Sequence, residues 1–383
     1  AKELGREDVL HAQGQVVERE NKNPKNPTGE VELRPTTLQR LAEAELPPFL
    51  IEDETDGQED LRLAYRYLDI RRPSLSHNLV LRHQVTRAVR NYLDAQAFCE
   101  VETPTLIRAT PEGARDFLVP SRLHPGHFYA LPQSPQILKQ LLMVGGMDRY
   151  YQICRCYRDE DFRGDRQPEF TQIDCEMAFV EQEDVLRVFE GMTQHVFREV
   201  LGVELPAFER IPYAECLAKY GTDKPDLRFG CPIVEVTDLC SESPFPVFQE
   251  AGLVAGIRAE GLAGYSRKQT DKLTDMVKEP HLGLKGLITI KINEDGSYKS
   301  SIDKFYDNEG LRPFVERLGG QPGDLLLLAA DSPRKVRRSL GALRLHLGKT
   351  EGWIDENAWS AFYVVDFPLF EEDEDTGERF PAH

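Results

Sequence analysis

Apolar and polar positions alternate or recur along the chain with periods that predict most of its elements. Residues 8–34 read as two strands around an Asn/Pro/Gly-rich turn, and residues 35–60 run through Pro-rich and then acidic sequence that suits a linker. From Arg82 the period becomes helical, with Leu81, Val85, Ala88, Val89 and Tyr92 on one stripe and Arg82, Arg87 and Arg90 off it. "CEVETPTLI" predicts a strand that Pro104 confines to an edge or interface. "HFYALPQSPQILKQLLMVGG" predicts a strand, a Pro turn and a short helix, with Ser134 as N-cap, Pro135 as first helical residue and Gly145-Gly146 as the stop.

"RYYQICRCYR" and "FTQIDCEMAF" then form two strands of a hairpin. The second strand divides its faces: Ile173, Cys175, Met177 and Phe179 point toward a core, and Gln172, Asp174 and Glu176 toward water or a ligand. The connection, "CYRDEDFRGDRQPEFTQID" (156–174), has charge on nine of nineteen residues, with Tyr157, Phe162 and Phe170 threaded among them. Residues 183–201 are expected to be helical. Beyond about residue 228 the texture changes to short strands and turns: "GLITIKINEDGSYK" with its Asp-Gly turn, "DLLLLAAD", and the basic helix "RKVRRSLGALRLHLGK". Residues 229–350 are expected to form a separate α+β domain, after which "AFYVVDFPLF" resumes strand character.

Bulk numbers narrow the possibilities. The 383 residues allow two or three domains, and a formal charge of −18 argues against a generally basic nucleic-acid coat while leaving room for a local patch. No apolar run reaches the roughly 20 residues of a membrane span, and no signal-peptide pattern opens the chain. Seven cysteines without a CxxC pair predict buried, reduced thiols of a cytosolic protein, and no zinc-ligand spacing is present. GxxxxGK[ST], GxGxxG after a strand, HExxH and GxSxG are all missing, so P-loop, Rossmann, zincin and α/β-hydrolase readings have no support.

Three pieces carry candidate chemistry. Glu112 stands in the Pro/Gly loop "TPEGARDF"; alone it reads as a surface carboxylate. Gln136, Lys139 and Gln140 share one helix face, opposite Ile137, Leu138, Leu141 and Leu142, a pattern an ordinary amphipathic helix explains equally well. In the hairpin, Arg158 can grip a phosphate bidentately, and Phe170, on the polar face with Gln172 and Asp174, offers a stacking surface; a salt-bridged loop is the competing reading.

"FCEVETPTLIRATPEGARDF", "ALPQSPQILKQLLMVGGMDRYYQI" and "CYRDEDFRGDRQPEFTQIDCEMAF" together resemble the bacterial-type aspartyl-tRNA synthetases, a family of class II aminoacyl-tRNA synthetases. The first block resembles class II motif 1, with Pro104 as its proline, and the third resembles the motif 2 loop, here Tyr157-Arg158-Asp159-Glu160. The resemblance implies an α+β fold: an antiparallel class II catalytic sheet with flanking helices in 61–228, an inserted α+β domain in 229–350, and a resumed catalytic domain in 351–383. Residues 1–60 would hold a partial N-terminal OB-fold and linker. It also implies ATP-dependent activation of L-aspartate and transfer to tRNA(Asp), with tRNA(Asn) left open as a second acceptor, in a cytoplasmic homodimer that uses Mg²⁺.

Carried over by position, Arg158 would bind the α-phosphate and attacking carboxylate as the catalytic arginine. Asp159, Glu160 and Gln167 would meet ATP, and Phe170 would stack on adenine. Glu112, Ser134 and Gln172 would cradle the substrate ammonium, and Gln136 and Lys139 would complete the aspartate pocket, with Asp174 holding the lysine. His383 matches the first histidine of a substrate-closing pair. The Mg²⁺ ligands, the motif 3 arginine and the first OB strands are expected outside residues 1–383, so the chain by itself is expected to be slow in pyrophosphate exchange. Asp161, Arg163 and Asp165 read as loop solvation or tRNA-end contacts, and Arg334, Lys335, Arg337 and Arg338 as a solvated helix face. A non-catalytic RNA-binding relative and an asparaginyl-tRNA synthetase are the competing assignments.

Overall fold

In the computed structural model the described residues are 4–24, 26–110, 112–164, 166–372 and 376–382. They fall into two units, Ala1–Val203 and Glu204–His383.

The first unit opens with the antiparallel hairpin β1 (Val9–Glu18) and β2 (Val31–Ala42). β2 runs further than the sequence suggests and contains Pro35, a residue without an N–H, which is accommodated where the register slips between Gln13 and Gly14. Only glycine fits there, because a Cβ on Gly14 would stand 2.1 Å from the Arg34 carbonyl oxygen.

Two short helices, α1 (Glu59–Ala64) and α2 (Arg66–Asp69), lead into the long α3 (Pro73–Ala95), which starts on Pro at a position where a missing N–H costs nothing. Asp69 is fully buried at this joint. It accepts from Arg72 (2.9 Å) and Arg66 (2.6 Å), with Arg62 3.8 Å away. Arg72 in turn donates to the Glu52 and Asp53 carbonyls, so one carboxylate ties the incoming linker to α3. Burial pushes the Asp69 carboxyl up, and the three arginines more than reverse this, leaving its pKa lowered. A depressed carboxyl contributes stability above its unfolded pKa of about 3.9 and loses it as pH falls through the lower folded value. Asp69→Asn is therefore expected to melt below the parent at neutral pH, with the gap closing below about pH 4. A gap that stays constant to pH 3 in thermal melts would refute the ion-pair account.

After α3 come β3 (Cys99–Glu100), β4 (Leu118–Pro120), β5 (Phe128–Ala130), α4 (Gln136–Val144), β6 (Arg149–Tyr157), β7 (Glu169–Met177) and α5 (Gln182–Val196), which runs into a π-helical turn to Leu201. β3 is only two residues long, not the strand predicted across "CEVETPTLI"; the pairing with β6 stops before Pro104. β3, β6 and β7 form one sheet, with β6 and β7 antiparallel from Arg149↔Met177 to Tyr157↔Glu169. One face packs Tyr151, Ile153, Cys175 and Met177 against Val89 and Leu93 of α3 and Val188 and Met192 of α5. Two residues expected on this core face are not buried there: Ile173 is 37% exposed, and Phe179 lies beyond the strand at φ +56° and is 97% exposed. The opposite face is covered by α4.

In the second unit, β8 (Glu209–Pro212) pairs in parallel with β14 (Phe362–Val365), and α6 (Tyr213–Tyr220) follows β8. A five-stranded sheet has the order β12-β11-β13-β10-β9 with every pair antiparallel. Its strands are β9 (Val234–Glu235), β10 (Leu253–Ala259), β11 (Ile288–Ile292), β12 (Tyr298–Ser300) and β13 (Leu325–Asp331). Helices α7 (Pro246–Glu250), α8 (Arg267–Lys278), α9 (Asn308–Arg317) and α10 (Pro333–Thr350) cover it, and β15 (Phe370–Glu372) pairs with β16 (Arg379–Pro381). The run Leu325–Leu328 is buried on both faces. Leu325 and Leu327 meet α8 and α10, while Leu326 and Leu328 meet Leu311, Phe314 and Val315 of α9. A central strand buried on both sides has no polar face to alternate with, hence the unbroken leucines. The "INEDGSYK" turn joins β11 to β12 as the Asp-Gly pair predicts. All seven cysteines are free; Cys154, Cys156, Cys216 and Cys240 are buried and Cys99 is exposed. Among the described residues no helix is long and apolar enough to cross a membrane.

Candidate functional site

The sheet face beneath α4 is built by strand alternation. β6 contributes Tyr150, Gln152, Cys154 and Cys156; β7 contributes Phe170, Gln172, Asp174 and Glu176, with Gln152 opposite Asp174 and Cys156 opposite Phe170.

Into this face α4 inserts Lys139. The helix does not follow the ordinary amphipathic reading: its one buried residue is Lys139, 8% exposed, whereas Ile137 is 48% and Leu141 59% exposed. The ammonium donates to Asp174 Oδ1 at 2.8 Å and lies 3.3 Å from Glu176 Oε2. Burial works against its charge, and the two carboxylates outweigh burial, so its pKa is raised and it stays cationic. Asp174 is 2% exposed and its Oδ2 has no hydrogen-bond partner. Next to it, burial and the Asp174 charge push the Tyr150 phenol far up, so its O–H stays protonated and donates to Gln152 Oε1 at 2.9 Å.

Ser134 does not cap α4, which starts at Gln136 with Pro135 as its N-cap. Its hydroxyl donates instead to Glu112 Oε2 (2.7 Å), and Thr110 donates to Oε1 of the same carboxylate (3.0 Å). Gln133, 2% exposed, exchanges hydrogen bonds with the Ala114 backbone in both directions and donates to Asp116, which fixes the loop that carries Glu112. Gln172 Oε1 accepts from the Cys156 thiol at 3.2 Å. Gln136 is half-buried, one turn before Lys139 on α4.

At the hairpin end, Arg158, Glu160, Gln167 and Phe170 line one cavity of ≈ 390 Å³ together with Arg163 and Arg166, a size within the usual ~300–1,000 Å³ range of small-molecule sites. The Arg158 guanidinium lies 5.1 Å above the Phe170 ring, and Arg166 pairs with Glu160 at 3.3 Å. The Arg158 amide donates to the Pro168 carbonyl, and the Asp159 amide to the Arg115 carbonyl, which holds the loop against the Glu112 segment. The Asp159 side chain is exposed. His383 and Asp165 lie outside the described residues.

The fold therefore brings the sequence-predicted residues into three groups: a cation held by carboxylates under α4, the Glu112 carboxylate bonded by Ser134, and an arginine with an aromatic ring at the loop. Glu176, Thr110, Gln133 and Gln152 were not among the predicted site residues. Strand parity already places Glu176 on the face toward water or a ligand, and the same parity applied to β6 finds Gln152; Thr110 and Gln133 carry no sequence period. The described residues contain no group of three or more His, Cys, Asp or Glu side chains arranged to hold a metal.

A family model described as tRNA synthetases class II (D, K and N) matches residues 58–380. Proteins named aspartate–tRNA ligase from Bacteroides fragilis and Porphyromonas gingivalis are each 54% identical over 385 residues, and one from Azobacteroides pseudotrichonymphae is 51% identical over 383. In each case the match covers 100% of this chain and 66% of the relative, so the chain spans just under two thirds of their length. A solved chain from Leishmania major Friedlin, described as "a putative aspartyl-tRNA synthetase", superposes with a TM-score of 0.50 at 15% identity, over 94% of this chain and 81% of that one; at that identity the likeness concerns the fold alone.

Proposed function

The chain belongs to the class II tRNA synthetases of the D, K and N group, and from this we propose that it is the part of an aspartate–tRNA ligase that binds aspartate and ATP. The observation that carries the reading is Lys139, a buried cation held by Asp174 and Glu176 with Oδ2 of Asp174 left unpartnered. A buried, fixed positive charge favours a substrate carboxylate over an amide, because the carboxylate gains a charge–charge attraction that the neutral amide does not.

In this reading the substrate's side-chain carboxylate meets Lys139, with Gln136 beside it. Its ammonium is received by the Glu112 carboxylate, with Ser134 and Gln172 completing the cradle. Adenine lies on Phe170 near Glu160 and Gln167, and Asp159 borders the ATP site. The α-carboxylate attacks the α-phosphorus in line, a P–O bond forms as the bond to the bridging oxygen breaks, and pyrophosphate leaves. Arg158 spans the attacking carboxylate and the α-phosphate, so it neutralises charge and fixes the approach; little general-base chemistry is required. A hydroxyl of the terminal adenosine of tRNA(Asp) then attacks the aspartyl carbonyl and releases AMP. We further propose residues 1–60 as the remnant of an anticodon-binding OB-fold with its linker, and 229–350 as an insertion in the catalytic domain. A cytoplasmic homodimer is part of the same reading, supported by the exposed Leu79 (53%) and Val80 (50%) on α3.

Thermal melts with L-aspartate, L-asparagine and ATP test this. Aspartate is expected to raise the midpoint, with ligand at about 100 Kd adding about 2.7 kcal/mol, and asparagine to leave it in place. Equal shifts from both amino acids, or none from either, would overturn the assignment.

A further inference from the structure

The second unit holds a cavity of ≈ 710 Å³ to which the proposed reaction gives no part. Two aromatic side chains, Phe229 and Trp353, form its walls, and Arg258 and Glu260 stand among its lining residues with Cys231 and Leu318. The two rings are 6.5 Å apart between centroids and inclined at 42°. Since ring atoms pack at about 3.5–4.0 Å, a ring held between both faces would need about 7–8 Å, so the 42° wedge can admit a flat ring only at its divergent mouth and not between the ring centres.

The wedge is rigid. Phe229 is pinned from behind by Arg344, a guanidinium 2% exposed whose carbon lies 4.0 Å from the ring centroid. That guanidinium also donates to the Phe229 and Asp226 carbonyls at 2.9 and 2.8 Å. The Phe229 ring lies so close to Gly348 that a Cβ there would come within 2.6 Å of it. Trp353 is fixed at the end of α10, its amide donating to the Gly348 carbonyl.

Charge then narrows the ligand. A cation is disfavoured, because the Arg344 guanidinium already lies 4.0 Å from the Phe229 ring centroid and Arg258, 4.0 Å from Glu260 Oε2, offsets the one carboxylate in the lining. An anion is disfavoured too: the charge of Arg258 is already offset by Asp324, 2.6 Å from its Nε, and by Glu260, 4.0 Å from its Nη2, while its other N–H groups stay available to a neutral acceptor; the flanking Arg228 and Arg317 are each held bidentately, by Asp226 and Asp238. The remaining class is a neutral planar heterocycle with donors and acceptors along its edge. Arg258 can donate to such an edge, and Glu260, whose side chain is 80% exposed, can accept from it. We propose that this cavity binds a nucleobase, as an uncharged nucleoside or as an unpaired base of an RNA strand, stacked at the mouth of the Phe229–Trp353 wedge.

The chain has two tryptophans, so Trp359→Phe leaves Trp353 as the only indole reporter. Its fluorescence is to be titrated in the full chain with adenosine, guanosine, cytidine and uridine, and then with AMP and a short single-stranded adenylate RNA. At least one nucleoside is expected to quench Trp353 to a saturating plateau. Phe229→Leu, which keeps apolar volume against Arg344 but removes the π face, is expected to weaken that ligand about tenfold or more, as loss of one stacking partner does. Glu260→Gln, an exposed change that leaves the fold intact, is expected to alter the order of preference among the four bases. AMP binding no tighter than its nucleoside supports the neutral-ring assignment; RNA binding more tightly than adenosine identifies the strand as the source of the base, and equal binding identifies the free nucleoside. Linear, non-saturating quenching by every nucleoside overturns the proposal. So does a plateau unchanged in both variants, or AMP binding tenfold tighter than adenosine.

Discussion

Lys139→Met is expected to weaken L-aspartate binding by about 30- to 5,000-fold, the equivalent of the ~2–5 kcal/mol that loss of one partner from a buried hydrogen-bonded charge pair costs. It should also erase the preference over asparagine. Two effects combine. The substrate carboxylate loses its counter-charge, and Asp174, 2% exposed and bonded to Lys139 through Oδ1, becomes an uncompensated buried charge. The second effect appears without ligand, as a loss of about 3–5 kcal/mol in urea unfolding. It has its own control: Lys139→Met combined with Asp174→Leu removes both charges and should recover most of the stability while leaving aspartate unbound. Titration calorimetry and denaturation on the four proteins of this cycle separate the roles. If the single variant binds aspartate within threefold of the parent, Lys139 is a structural ion-pair partner and the specificity argument fails.

The contrast between β7 and α4 indicates what sequence periodicity could and could not show. A strand's side chains alternate with a period of two, so once Cys175 and Met177 are assigned to the core, Phe170, Gln172, Asp174 and Glu176 must share the other face. The structure follows that parity, with Asp174 recessed under α4. Helix α4 was harder, because its pattern of four apolar and three polar residues fits burial of either face. The ambiguity is resolved by carboxylates 35 and 37 positions away in sequence, which turn the lysine inward and leave Ile137 and Leu141 exposed. No local propensity encodes such a partner. Thr110 and Gln133 stayed hidden for a related reason: each is a single polar residue in irregular chain, and its significance is a hydrogen bond to the Glu112 loop. The second unit was legible in outline, since Leu325–Leu328 announces a strand buried on both sides. The wedge of Phe229 and Trp353 was not, because 123 residues separate its halves and only the course of α10 joins them.

Arg158→Lys is expected to weaken binding of a sulfamoyl analogue of aspartyl-adenylate by about 10²–10³-fold, the loss typical of removing one preorganised donor at a centre of developing charge. Pyrophosphate exchange, where measurable, should fall in parallel. Charge is conserved in this substitution, so the prediction isolates geometry. An ammonium is a point donor, whereas the planar guanidinium can reach a phosphate oxygen and a carboxylate oxygen at once and still lie flat over Phe170, its present position 5.1 Å from that ring. The fold should be insensitive to the change, because the local anchors are backbone bonds, from Arg158 N to the Pro168 carbonyl and from Asp159 N to the Arg115 carbonyl. An unchanged melting midpoint with a collapsed analogue affinity is therefore the expected pair of results. Retention of affinity within threefold would mean that Arg158 supplies charge alone, and bidentate bridging of the two reacting groups would have to be abandoned.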